Sequence, residues 1–183
     1  MFDEIQIIPV VETNEATQSD NKYILKYLNI YHGKVLQTNR VTYRNFVYAR
    51  TKSQMTSSRV AKEIRGHMKA YNDTNRKSFA LFFIDTDKFQ KAKKKETKEI
   101  IDYCQENGFI PVLFSYEIED VFGVQIIEND KKKTAELFNK KHHNKGSFNV
   151  GNFEKNIDYV SSHRGFSNLE LVLRCIFSEL KKD

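Results

Sequence analysis

The stretch Phe79-Ala-Leu-Phe-Phe-Ile-Asp-Thr-Asp87 decides the fold of this chain. The continuous apolar run from Phe79 to Ile84 is typical of a β-strand that is covered on both faces. Two carboxylates follow at the point where this strand ends. Residues two apart in a strand point to the same side, so we expect Asp85 and Asp87 to emerge together. They would then lie in the crevice where open α/β sheets bind their ligands.

Short apolar runs alternate with helical periodicity on both sides of this strand. Further strands are predicted at residues 5–11, 45–49 and 109–114, with helices at 20–30, 57–71 and 91–107 between them. This order predicts an α/β fold with a parallel four-stranded sheet flanked by helices. Further helices are predicted at 131–141 and 153–161, and a last one begins at a capping box of Ser167 and Glu170. We therefore expect one α/β domain over residues 1–125, with a helical C-terminal extension over 126–183 packed on it.

Composition narrows the class of protein and of partner. The 183 residues include 30 basic and 24 acidic side chains, a net charge of +6. An excess of positive charge favours nucleic acid as partner, although a solvated lysine-rich surface would give the same balance. Two cysteines far apart in the chain predict no disulfide framework, and the apolar runs are too short for a membrane span. With no signal-peptide pattern, the expected location is the cytoplasm, away from any membrane.

A third carboxylate is expected at the same edge of the sheet. Glu12 directly follows the first predicted strand, just as Asp85 follows the third. If these two strands are neighbours, about 4.8 Å apart, the three acids can surround one ion. Mg²⁺ takes one or two carboxylates and keeps its other positions for water and phosphate oxygens. The alternative is that Asp85 and Asp87 only cap the next helix or close a turn.

The pattern of Glu12 after the first strand and Asp85-Thr86-Asp87 after the third resembles the Toprim family of topoisomerases, primases and nucleases. The resemblance extends over roughly residues 5–122. It implies that Glu12 is a general acid/base or a metal contact, that Asp85 and Asp87 are metal ligands, and that the cofactor is Mg²⁺ or Mn²⁺. Toprim proteins often have Gly directly after the Glu, whereas here Thr13-Asn14-Glu15 follows, so a share for Glu15 stays open.

Within the Toprim proteins, the size and the later segments are most similar to the RloB-like branch of stand-alone domains associated with bacterial defence and mobile elements. The segment Ser115-Tyr-Glu-Ile-Glu-Asp-Val-Phe122 resembles the Ser-containing, Glu-bearing segment that opens a helix in such proteins. By this resemblance Glu119 is a further metal ligand, with Glu117 and Asp120 as alternatives. The implied function is a metal-dependent nuclease that hydrolyses phosphodiester bonds of DNA or RNA.

Cations near the acids are the candidate contacts for nucleic acid. Arg50 and Lys52 follow the second predicted strand, and Lys93, Lys94 and Lys95 follow the Asp-Thr-Asp motif. They could hold a phosphate or guide a nucleic-acid backbone, or they could be solvated surface. The segment His142-His143-Asn144 is more typical of a basic helix end than of an HNH nuclease.

Two other functions and the partners remain open. The chain could be a non-catalytic, basic nucleic-acid-binding subunit of a larger complex, or a phosphoryl- or nucleotidyl-transfer enzyme on another α/β fold. No Gly-x-x-x-x-Gly-Lys motif occurs, so any ATP would have to come with a partner such as an ATPase of a defence system. Association into a homo-oligomer is a further alternative.

Overall fold

The computed structural model describes residues 1–13, 15–16, 18–43, 45–87, 91–141, 144–157 and 163–181. The strands are β1 (Glu4–Val11), β2 (Val41–Tyr43), β3 (Val47–Tyr48), β4 (Arg76–Asp85) and β5 (Ile110–Phe114). The helices are α1 (Ser19–Gln37), α2 (Ser58–Tyr71), α3 (Lys91–Asn107), α4 (Ile118–Val121), α5 (Lys131–Lys141) and α6 (Leu169–Ser178). Short 3₁₀ turns occupy Lys52–Gln54, Lys145–Ser147 and Val150–Phe153.

The strands form one parallel sheet in the order β2-β1-β4-β5, with β3 also paired to β1. The predicted fold class is confirmed, because this is an α/β fold with a parallel sheet flanked by helices, consistent with a Toprim-like fold. β1 and β4 are direct neighbours, with Glu4 to Val10 in register with Arg76 to Phe82. The ends of β1 and β4 therefore lie side by side, as the grouping of Glu12 with Asp85 requires.

The described part of the chain has five strands instead of the predicted four. The strand expected at 45–49 is only the short β3, and β2 precedes it along the same side of β1. Ile7 pairs with Tyr43 and Val10 pairs with Val47, so Pro9 lies between the two paired stretches. Proline has no N–H to donate to a ladder. An interrupted neighbour strand at this point explains how a proline is tolerated inside the central strand.

The sheet is covered on both faces, as the apolar run in β4 predicts. Leu81 and Phe83 belong to a core with β1, α1, α5 and α6 on one face. Phe82 and Ile84 belong to a second core with α2 and α3 on the other face. Successive residues of a strand point to opposite faces, so a strand between two cores is apolar throughout. Residues on either side of the predicted boundary at 125–126 share the first core.

The helix expected at 153–161 is wrong where the chain is described. The 3₁₀ turn ends at Phe153, residues 154–157 are not helical, and 158–161 lie outside the described residues. The backbone here pairs with another segment: the Ser167 N–H donates to Asn152 O at 2.7 Å, and the Lys155 N–H donates to Ser167 O at 3.0 Å. These bonds replace the i to i+4 bonds that a helix would need.

The capping box predicted for the last helix is also wrong, although the helix and its apolar side are present. Ser167 Oγ accepts from the Leu169 N–H at 3.1 Å, but the cap residue is Asn168, and Glu170 is turned away from the helix start. The Glu170 carboxylate instead accepts hydrogen bonds from Tyr27 of α1 and Arg174 of α6. Within the part of the chain described, every helix is too short or too polar to cross a bilayer.

Candidate active site

The turn that follows β4 is fixed against the segment that follows β5. The Thr86 side chain is buried. The backbone N–H of Thr86 donates to Phe114 O at 2.9 Å, and Thr86 Oγ1 accepts from the Tyr116 N–H at 3.0 Å. The Asp87 N–H then donates to Tyr116 O at 3.3 Å. Asp87 has a φ of +42°, in the left-handed region that non-glycine residues rarely adopt. The residue between the two acids therefore anchors the turn that carries both.

Asp85 and Asp87, at the end of β4 and two residues apart, have different charged neighbours. The Asp87 carboxylate accepts from Lys52 at 3.0 Å and from Lys93 at 3.1 Å. Lys52 is 5% exposed, and its ammonium also donates to the backbone carbonyl of Asp85. The alternation of the strand stops after Asp85 and the chain enters the left-handed turn.

Asp85 belongs to a cluster of carboxylates contributed by separate elements. Burial raises its pKa well above the ordinary value, and the charges of Asp20 and Glu119, and then of Glu12, raise it further. Lys131 opposes this increase. Asp20 lies in the first turn of α1, Glu119 in α4 and Lys131 at the start of α5. We call Glu12, Asp20, Asp85 and Glu119 the acid cluster.

Asp20 is a member that the sequence analysis missed. Burial, followed by the charge of Glu119, raises the pKa of Asp20 to about 7. The available signal was a carboxylate in the first turn of the helix that follows Glu12. Acids are common at that position because they complement the helix dipole, so the sequence alone gives no reason to single it out.

Glu119 is the most deeply buried acid of the cluster, with 2% of its surface exposed. Neither of its carboxylate oxygens accepts a hydrogen bond from any described residue. The Lys131 ammonium stands 3.6 Å from Oε2, which is longer than a hydrogen bond. Two buried hydroxyls, of Thr13 next to Glu12 and of Tyr23, are likewise without partners in the described structure. Burial raises the pKa of Tyr23, and the charges of Glu119 and Asp20 raise it further. Buried polar atoms are normally satisfied, so this edge of the sheet has unused binding capacity.

The chemistry of these donors fits Mg²⁺ or Mn²⁺, both of which prefer oxygen ligands. The unsatisfied oxygens of Glu119 are the observation that supports this fit. Even so, among the residues described, no three His, Cys, Asp or Glu side chains are grouped in a way that could hold an ion. The lysines instead neutralise the carboxylates: Lys131 beside Glu119, and Lys52 with Lys93 on Asp87. Carboxylates suited to bind Mg²⁺ or Mn²⁺ are therefore present, but they do not surround one common position.

Glu12 lies between the two groups of acids. Burial raises its pKa, Lys52 lowers it, and Asp87 raises it again, whereas Lys93 and Lys131 lower it. Glu12 also contributes to the raised pKa of Asp85. Glu15, the open alternative in the same loop, is exposed.

The two alternatives to Glu119 are each paired with a basic side chain. Glu117 pairs with Lys131 at 3.1 Å, and Asp120 pairs with Arg164 at 2.7 Å. The Arg164 guanidinium also lies over the Tyr116 ring, 5.5 Å from its centroid. These side chains line a cleft of about 560 Å³ that also reaches Asp87, Lys93 and Glu119. Asp87 and Glu119 therefore border a space that a nucleotide could enter, whereas Glu12 and Asp85 do not line it.

The predicted nucleic-acid contacts fall into two groups. Lys52 and Lys93 are held by Asp87, so they belong to the site itself. Arg50 and Lys95 are exposed, Lys94 is partly buried, and Lys95 pairs with Glu99 at 3.7 Å on the same helix. His142 and His143 lie outside the described residues.

The chain matches no protein-family model and no curated protein, so its function has to be argued from this site.

Proposed function

We propose that this protein is a divalent-metal-dependent nuclease that hydrolyses phosphodiester bonds of DNA or RNA, with a Toprim-like arrangement of acids. The observation that carries the proposal is the buried carboxylate of Glu119, unsatisfied beside Asp85 at the carboxyl edge of β4. The Lys131 ammonium, 3.6 Å away, balances the charge of Glu119 but leaves both of its oxygens without a hydrogen bond. Those oxygens are therefore available as ligands for a divalent cation.

The proposed roles of these residues are of two kinds, binding a cation and transferring a proton. Glu12, Asp85, Asp87 and Glu119 would hold the ion or ions. When bound, Mg²⁺ or Mn²⁺ supplies an activated water and neutralises the leaving oxygen. Glu12 is suited to act as general acid/base, because burial raises its pKa above the ordinary value. Lys52 keeps Asp85 and Asp87 in place by binding the backbone of one and the carboxylate of the other.

The basic residues near the site suit a polyanionic substrate. Lys93 is about half exposed at the Asp87 carboxylate, and Arg50 and Lys95 are exposed after β3 and on α3. With a net charge of +6, the chain would attract phosphates and release their counterions. We propose a cytoplasmic setting, a role in bacterial defence or a mobile element, and a partner that supplies any ATP. The defence role and the partner follow from the resemblance to RloB-like proteins, and the cytoplasmic setting follows from the missing signal-peptide pattern.

The test is cleavage of labelled single-stranded RNA and plasmid DNA with Mn²⁺ or Mg²⁺, comparing wild type with Glu12→Gln. Glutamine preserves the shape and removes the charge and basicity. We expect the rate to fall about 100-fold or more, the usual scale for a general acid/base, while nucleic-acid affinity without metal stays unchanged. Glu15→Gln is the matched control, because it removes an exposed carboxylate from the same loop and should cut at the wild-type rate.

The outcomes separate the rival functions. Cleavage by Glu12→Gln at the wild-type rate would contradict the role of Glu12, and loss of cleavage in Glu15→Gln would move that role to Glu15. A wild-type protein that binds nucleic acid but cuts it with no metal or partner would favour the non-catalytic binding subunit. Transfer of a phosphoryl or nucleotidyl group to an acceptor, without hydrolysis, would favour the transferase.

A further inference from the structure

Lys131 occupies an unusual position for a lysine. It is the first residue of α5, and its ammonium lies 3.1 Å from the Glu117 carboxylate and 3.6 Å from that of Glu119. Cations are disfavoured at the start of a helix, where the dipole is positive. The carboxylates that it faces account for the position of the charge. Asp85 also feels its charge, so a single ammonium faces several acids of the site.

The ammonium can leave this position without unfolding the helix. The Lys131 side chain is 45% exposed and reaches the acids from the surface, whereas Glu119 is almost fully buried. Lysine has a long flexible stem and a strongly hydrated charge, so water can accept the ammonium when another cation displaces it. Its departure would break the solvent-accessible pair with Glu117 at 3.1 Å, whereas Glu119, 3.6 Å away, is beyond hydrogen-bond distance.

We propose that Lys131 is a built-in counter-cation that neutralises Glu119 and Asp85 in the metal-free protein and is displaced when a divalent cation binds. This inference rests on the metal site of the proposed function and adds its regulation. Lys131 thereby sets the metal affinity: the protein stays stable without metal, and it loads only when the ion outcompetes the ammonium.

The experiment measures Mn²⁺ affinity, from the electron paramagnetic resonance signal of free Mn²⁺, together with the melting temperature in EDTA. Lys131→Gln should bind Mn²⁺ about tenfold more tightly than wild type or better, because the competing charge is gone. In EDTA it should melt at a lower temperature, because Glu119 and Asp85 lose their counter-cation, and Mn²⁺ should reverse that loss. Lys131→Arg keeps the charge and should not bind more tightly than wild type. Lys132→Gln removes an exposed lysine from the same turn and should match wild type in both measurements.

Each outcome decides between the proposals. Tighter binding in Lys131→Gln, or binding in that variant alone, supports the counter-cation. Equal or weaker binding that still depends on Asp85 overturns it and leaves the metal site intact. No Mn²⁺ binding in any variant overturns both proposals. The expected affinities without cleavage of any nucleic acid would keep the role of Lys131 and overturn the nuclease.

Discussion

At the scale of single residues, the acids differ in how their charge is compensated. Asp87 has two lysine partners within hydrogen-bond distance, whereas Glu119 has none. Burial raises the pKa of both Asp20 and Asp85, the charge of Asp20 raises that of Asp85 further, and the charge of Glu119 raises both. Charge repulsion of this kind is typical of sites built to receive a cation, although ion-pair networks also perturb pKa values.

Asp20 gives a pH-dependent test of that repulsion. Its pKa is raised from the ordinary 3.8 to about 7 in the folded protein. The folded state therefore binds more protons than the unfolded state between these values, and stability falls as the pH rises toward 7. Without metal, we expect Asp20→Asn to be more stable than wild type at pH 8, by about 1–2 kcal/mol, and to lose that advantage near pH 4.

Thermal melting in EDTA across this pH range measures the effect. Asp102→Asn is the control, because it removes an exposed carboxylate that pairs with Lys98 one turn away on α3. It should change stability little at any pH, as expected for a surface pair. A stability difference between Asp20→Asn and wild type that does not change with pH would show that neither burial nor repulsion raises the pKa of Asp20.

At the scale of elements, α1 and α6 are joined by a polar contact inside an apolar interface. The Glu170 carboxylate of α6 accepts from the Tyr27 hydroxyl at 2.7 Å and lies 2.8 Å from His32 Nε2, and both partners belong to α1. Arg174 donates to its other oxygen at 3.0 Å. Burial by itself raises the pKa of Glu170, but the hydrogen bonds from His32 and Tyr27 outweigh it, so the pKa is lowered.

Glu170→Gln should therefore destabilise the protein at neutral pH by about 2 kcal/mol, the scale of a hydrogen bond to a charged group. The lowered pKa stabilises the folded state above the ordinary value of 4.5, and this contribution disappears as the pH falls below it. Urea unfolding at pH 7 and at pH 3.5 measures the change. Glu63→Gln, which removes an exposed carboxylate paired with Arg59 on α2, should have little effect at either pH. An equal loss of stability in Glu170→Gln at both pH values would contradict this account.

The elements show what a sequence can predict and where it fails. The apolar run of β4 predicts its burial on both faces, and alternating patterns predict a parallel sheet, because these depend on local residues. The capping box fails because Ser167-x-x-Glu170 is a local pattern, and Glu170 is recruited by α1 after the chain has folded. The helix at 153–161 fails for a similar reason, since Phe153 is buried against Tyr27, 4.4 Å away between ring centroids.

At the scale of the whole molecule, the acid cluster exists only after folding. The sequence could bring Glu12 and Asp85 together only on the condition that their strands are neighbours, and β1 and β4 meet that condition. The positions of Asp20 and Lys131 could not be predicted, since they depend on how α1 and α5 pack over the edge of the sheet. Lys22 of α1 pairs with Glu136 of α5 at 3.1 Å, and Lys26 donates to Asn139 O at 2.7 Å, contacts that no local pattern indicates.

The most direct test of the central claim is thermal melting with and without millimolar Mn²⁺, for wild type, Asp85→Asn and the control Asp102→Asn. A cation that binds only the folded state stabilises it by about 2.7 kcal/mol at a hundred times its dissociation constant. For a chain of this size that is roughly 5 °C or more in melting temperature. We predict this shift for wild type and the control, and its loss in Asp85→Asn. An unchanged shift in Asp85→Asn, or no shift in wild type, would contradict a divalent-cation site at the acid cluster.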